Sequence, residues 1–96
     1  MPKYEVYFKP SAEKELYRLG SGLIQHILSK IEDLSLNPRM RGTIKLKGNI
    51  SYRYRIGDYR IIYEIDDYKR TISIFKIRHR KDVYRDFWFS VTKKGA

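Results

Sequence analysis

Three arginines crowd one short alternating stretch, SYRYRIGDYRIIY at 51–63: Arg53, Arg55 and Arg60. Arginine keeps its charge at any ordinary pH, and its planar fork matches a phosphate, so such a group points to an anionic ligand. Gly57-Asp58 reads as a two-residue hairpin turn. Ile56 then lies opposite Tyr59, and Arg55 lies directly opposite Arg60, with Arg53 on the same face opposite Ile62. Like charges placed so repel, and a sequence serving the fold alone would carry Glu or Thr at one of the two positions. Either the long side chains splay into water or an anion sits between them. A third cation on the same surface favours the anion. A second basic run, Lys76, Arg78, His79, Arg80 and Lys81, closes the last strand-like segment. Alternation puts Lys76 and Arg78 on one face and Ile77 and His79 on the other. Which face joins Arg53, Arg55 and Arg60 is left open, because the longer turn before this segment does not set its register.

Charge supports the same ligand class. The chain has 96 residues, with 21 Lys and Arg against 11 Asp and Glu, for a net charge of +10. Residues 1–38 balance to zero, so the entire surplus lies in 39–96. An even spread would serve solubility equally well, so the asymmetry argues for a polyanionic partner. With no cysteine, disulfides, thiolate metal sites and a cysteine nucleophile are excluded. No His, Asp and Glu cluster has metal-ligand spacing, and no cofactor motif is present. The chain has no apolar run of about 18 residues and no signal-like N-terminus. The expectation is one domain over 1–96 in a reducing cytoplasm, with no membrane contact and a loose tail at 93–96.

The elements that must position these residues are legible. Tyr4–Phe8 reads as a strand with Val6 and Phe8 on one face. Pro10-Ser11 opens a helix, with Ser11 as cap, Glu13 and Glu15 in the first turn, and Ala12, Leu16 and Leu19 as its apolar stripe. Gly20-Ser21-Gly22 breaks it. A second helix carries Ile24, Ile27, Leu28, Ile31 and Leu34 at helical spacing and ends at Asn37-Pro38. The pair reads as a helical hairpin without chemistry of its own. After the basic loop Arg39–Gly42, strands are expected at Ile44–Leu46, Tyr52–Ile56, Tyr59–Ile65 and Thr71–Ile77, and a short terminal helix around Val83, Tyr84, Phe87 and Trp88. The order gives an α+β fold. A mostly antiparallel sheet of four to five strands has the helical hairpin on one face and the other face at least partly open. The face holding Tyr52, Tyr54, Tyr59 and Tyr63 reads as core, and His26 as a surface residue.

The stretch Tyr52–Tyr63, with its GDYRIIY hairpin, resembles the central hairpin of RelE/ParE-superfamily toxins, and Ile77–Tyr84, with HRKDVY, resembles their last strand and terminal segment. The resemblance covers about residues 4–87. It implies a RelE-like toxin of a type II toxin–antitoxin pair. Such a toxin cleaves mRNA in the ribosomal A site without a metal, is neutralised by a cognate antitoxin, and meets operator DNA only through that antitoxin. By this resemblance Arg60 matches the central catalytic arginine, Arg78 the second arginine and Tyr84 the C-terminal tyrosine. Arg53 and Arg55 stand where the best-known RelE pattern has lysines. That departure keeps binding and charge stabilisation but removes a general base, since arginine does not readily give up its proton.

Metal-free cleavage uses the RNA's own 2′-hydroxyl. Arg60 and Arg78 would hold the scissile phosphate and balance its growing charge. Tyr84 would transfer a proton or stack on a base, and His79, with an ordinary pKa near 6.5, is the rival proton carrier. Lys45, Lys47, Lys76, Arg80 and Lys81 would add sequence-independent affinity beside Arg53 and Arg55. The rival readings are a ParE-like inhibitor of DNA gyrase without RNase activity and a ribosome-independent RNase.

Overall fold

The computed structural model describes residues 3–46 and 50–81. Among these residues, seven elements run in the order β1 (Glu5–Phe8), α1 (Pro10–Tyr17), α2 (Ser21–Leu36), β2 (Thr43–Lys45), β3 (Ser51–Ile56), β4 (Tyr59–Asp66) and β5 (Thr71–His79). The strands form one sheet in the order β1-β5-β4-β3-β2. All neighbours are antiparallel except β1, which joins β5 in parallel at the edge. The expected α+β fold with a mostly antiparallel sheet is therefore what the chain adopts. The terminal helix, the tail, Lys47 and Tyr84 lie outside the described residues.

The helices follow from their apolar spacing. Ala12 and Leu16 of α1 and Ile27, Ile31 and Leu34 of α2 are buried, and all five join one core with Ile61, Tyr63, Ile72, Ile74 and Ile77 of the sheet. Leu28, expected in the buried stripe, is exposed instead. It falls on the flank of the arc that Ile24, Ile27, Ile31 and Leu34 define. Ser11 does not cap α1: Lys9 is the cap residue, Pro10 opens the helix, and Ser11 Oγ donates to the Phe75 carbonyl at 3.3 Å. Proline fits the first helical position because its missing N–H would have had no partner there. Glu13 sits in the first turn as expected, whereas Glu15 lies further along and reaches β5.

The tyrosine face is core. Tyr52, Tyr54 and Tyr63 are buried, and Tyr52 stacks on Tyr63 with ring centres 5.9 Å apart. Burying a tyrosine requires a partner for its hydroxyl. Tyr63 donates to the Pro38 carbonyl at 2.7 Å, which ties the sheet to the loop after α2.

That loop is held a second time. Arg39 donates to both oxygens of Asp67 at 3.1 and 2.7 Å and to the Tyr52 hydroxyl at 3.0 Å, while Tyr4 donates to Asp67 at 2.7 Å. Asp67 sits in the β4–β5 turn, where Arg70 takes a left-handed backbone with φ of 55°. The Arg39 guanidinium, then Tyr4, hold the Asp67 carboxyl at about 2 against an ordinary 3.8. A depressed acid contributes stability above its unfolded pKa, and that contribution is lost as the pH falls through the folded one. Asp67→Asn is therefore expected to be less stable than wild type at pH 5, with the gap closing between pH 3.8 and about 2. Urea titrations at stepped pH measure it. The pair is exposed, so the gap should also shrink in high salt.

Candidate nucleic-acid interface

The predicted clash is present. Arg55 pairs with Arg60 across the β3–β4 hairpin, and Arg53 pairs with Ile62. Gly57, at φ of 57°, supplies the left-handed turn that sets this register. The two guanidinium groups do not simply splay into water. Arg60 is only 9% exposed and donates from Nη1 to the carbonyls of Gly57 and Tyr59 at 3.3 and 3.2 Å. Arg55 donates from Nε to the same Gly57 carbonyl at 3.4 Å. One carbonyl dipole between two cations eases their repulsion.

The β4–β5 register settles what the sequence left open. Arg60 pairs with Arg78, Ile62 with Lys76, and Tyr59 with His79. Lys76 and Arg78 therefore share the face of Arg53, Arg55 and Arg60. The cause is an irregularity between Ile62 and Tyr63, where pairing jumps from Lys76 to Ile74 and leaves Phe75 as an extra residue in β5. Ile72 and Ile74 point into the core; strict alternation would send Lys76 and Arg78 after them. The bulge flips the parity, so Ile77 is buried instead. Bulges beside functional sites commonly re-aim side chains in this way.

On the open face, three guanidinium groups, Arg55, Arg60 and Arg78, form a row across β3, β4 and β5. The next row holds Ile44, Arg53, Ile62 and Lys76. Further on, the face turns acidic, with Ser51, Glu64, Ser73 and Tyr7 in one row and Asp66, Thr71 and Glu5 in the next. The surface is thus polarised along the strands, cationic at the Gly57-Asp58 end and anionic at the other. Such a surface fixes where a polyanion can lie.

Four expected site residues stand elsewhere. Lys45 pairs with Tyr52 and so belongs to the opposite face, exposed on the edge strand. The open-face residue of β2 is Ile44, since a strand's parity is set by its partner. His79 pairs with Tyr59, also on the opposite face. Its ring meets the Tyr59 ring edge-on at 5.4 Å, and its Nδ1 accepts the Lys81 backbone N–H at 3.3 Å. Arg80 and Lys81 are exposed beyond the strand end, where the Arg80 N–H donates to the Asp58 carbonyl at 2.7 Å and ties β5 to the hairpin turn.

The first helix, read as having no chemistry, supports the row. β1 pairs with β5 only as far as Ile74. Beyond that point the free edge of β5 is served by the α1 segment: the Lys9 N–H donates to the Ile74 carbonyl at 2.9 Å, Ser11 Oγ reaches the Phe75 carbonyl, and Glu15 Oε1 accepts the Ile77 N–H at 2.8 Å. The second oxygen of Glu15 pairs with Nε of Arg78. Ser11 and Glu15 sit one turn apart beside the buried stripe of Ala12 and Leu16, which was the available signal for polar side chains facing the sheet. Among the described residues, no three His, Asp or Glu side chains gather to hold a metal ion. Also among them, no helix is long and apolar enough to cross a membrane.

A family model described as the ParE toxin of type II toxin–antitoxin system, parDE, matches residues 6–84. Toxin RelG of Mycobacterium tuberculosis is 31% identical over 84 residues, covering 85% of this chain and 97% of that protein. Among solved structures, the archaeal RelE–RelB complex from Pyrococcus horikoshii superposes with a TM-score of 0.74 at 30% identity, over 82% of this chain and 97% of that one. The isolated RelE toxin of E. coli gives 0.71 at 25% identity, over 92% and 98%. The fold, the open cationic face and a family match spanning most of the sequence converge: this chain belongs to the ParE toxin family of type II toxin–antitoxin systems, within the RelE/ParE superfamily.

Proposed function

We propose that this toxin is an endoribonuclease that cuts mRNA in the ribosomal A site, in the cytoplasm, and is silenced by a cognate antitoxin that also carries it to operator DNA. The observation that carries this reading is the row of Arg55, Arg60 and Arg78 on one open face. Such a row suits a phosphodiester: its negative charge grows as the 2′-hydroxyl attacks, and donors already in place stabilise that charge without reorganising. Arg53 and Lys76 in the next row would hold the adjacent phosphate, and Arg80 and Lys81 would add affinity beyond the strand end. The relatives' structures as antitoxin complexes support the antitoxin partner.

Proton transfer falls outside the guanidinium row, since arginine supplies none. His79 lies across the sheet from it. Tyr84, which matches the C-terminal tyrosine of RelE-type toxins by resemblance, is the candidate for this role or for stacking on a base, with rRNA or message groups as its partners.

The family match by the name ParE keeps gyrase inhibition as the competing reading. Induced expression, followed by mapping of mRNA 5′ ends and a parallel supercoiling assay with purified gyrase, separates the two. New 5′ ends in frame with codons are expected, with gyrase unaffected. Uncut message and blocked supercoiling would reverse the assignment, and cuts in naked RNA without ribosomes would assign a free RNase. Affinity for ribosomes should fall steeply with salt, as counterions released from phosphates require.

A further inference from the structure

Arg60 and Arg78 stand directly opposite one another on neighbouring strands, a placement that repulsion alone would pull apart. Arg60 is anchored to turn carbonyls. Arg78 is met by an acid from another element: Glu15 of α1 pairs with its Nε, an atom sealed from solvent. The Glu15 side chain is itself only 13% exposed. Its other oxygen accepts the Ile77 N–H at 2.8 Å, so the carboxylate is fixed to the backbone of the strand that carries Arg78. A pair held in this way differs from a mobile surface ion pair, because one partner has no freedom to lose.

We propose that Glu15 is a positioning residue for Arg78, setting its guanidinium in the row with Arg60 so that both meet one phosphate. The proposal rests on the reading of that row as a phosphate site. The competing role is a plain edge cap for the Ile77 N–H. Glu15→Gln tells them apart, since the amide oxygen can still accept that N–H while the charge that holds Arg78 is gone.

The test is a double-mutant cycle on Glu15→Gln and Arg78→Lys, read on affinity for a short single-stranded RNA oligonucleotide by fluorescence anisotropy. The ¹⁵N–¹H spectrum of arginine Nε–H groups in the free protein gives a second readout. The Arg78 Nε–H, assigned by its loss in Arg78→Lys, is expected to exchange slowly in wild type and quickly in Glu15→Gln. Glu15→Gln is expected to weaken RNA binding about tenfold although it removes a negative charge, and by less than about twofold when Arg78 is already lysine, as coupled neighbours do. An edge cap predicts the reverse sign: an unmoved Arg78 resonance and tighter RNA binding in both backgrounds, which overturns the proposal. If Glu15→Gln does not fold, the wild-type spectrum decides, and fast exchange at Arg78 Nε overturns it. Wild type that binds the oligonucleotide but cuts no message removes the endonuclease reading and leaves the cycle to judge Glu15. Wild type that binds no RNA overturns the Glu15 proposal and the phosphate row it rests on, while the mapped mRNA 5′ ends still judge the endonuclease reading.

Discussion

Arg60→Ala is expected to lower single-turnover cleavage of ribosome-bound message by about 10²–10³-fold, the usual loss when one preorganised donor to a developing oxyanion is removed. Arg60 is the central member of the row, between Arg55 and Arg78, and it is the least exposed of the three. Its geometry is prepaid by the Gly57 and Tyr59 carbonyls. Those bonds are accepted at an exposed turn, where water can replace the guanidinium, so the fold should survive. A melting curve close to wild type and retained antitoxin binding check that. Arg60→Lys keeps the charge and loses the fork, and should recover only part of the rate. His79→Gln in the same assay should stay within a few-fold of wild type, because His79 lies on the other face. Full toxicity of Arg60→Ala would place the chemistry elsewhere.

Tyr63→Ala should cost about 3–5 kcal/mol of stability, the range for truncating a large buried ring. Tyr63 has no solvent exposure, stacks on Tyr52 and bonds to Pro38. It also pairs with Ile74 at the residue next to the bulge. Removing it opens the core beneath the one irregularity that aims Lys76 and Arg78. Tyr63→Phe keeps the ring and should cost about 1 kcal/mol, the net value of an ordinary hydrogen bond, or somewhat more because the Pro38 carbonyl is left without its donor. Chemical denaturation of both variants measures the pair. Equal losses would mean that the hydroxyl, rather than the packed ring, carries the contribution.

Part of this architecture was legible from local rules. The GD turn dictates its own register, so the Arg55–Arg60 opposition followed from six residues of sequence. Period-two alternation marked Tyr52, Tyr54 and Tyr63 as core, and helical spacing found Ile27, Ile31 and Leu34. Other assignments failed where a longer-range partner decided. Lys45 was separated from the arginines because parity on β2 depends on which β3 residue it meets. Ser11 reads as a cap, but the cap is Lys9, two residues earlier, with Pro10 opening the helix, and this frees the Ser11 hydroxyl for Phe75.

By itself, then, the sequence determined the α+β order, the tyrosine core, the Arg55–Arg60 pair and the excess of positive charge in the later part of the chain. Each of these depends on neighbours within a few positions. Only the tertiary structure decided that Arg78 completes the row, because one extra residue in β5 reverses which side chains face the core. The change of parity between Ile74 and Ile77 is written in the sequence, but which residue of β5 is left over, and which residues of β4 the strand meets on either side of it, is fixed only by the pairing. It also decided the role of Glu15, 62 residues from the backbone it caps. A contact across that distance has no local signal, since it exists only once α1 has packed against the edge that β1 leaves free.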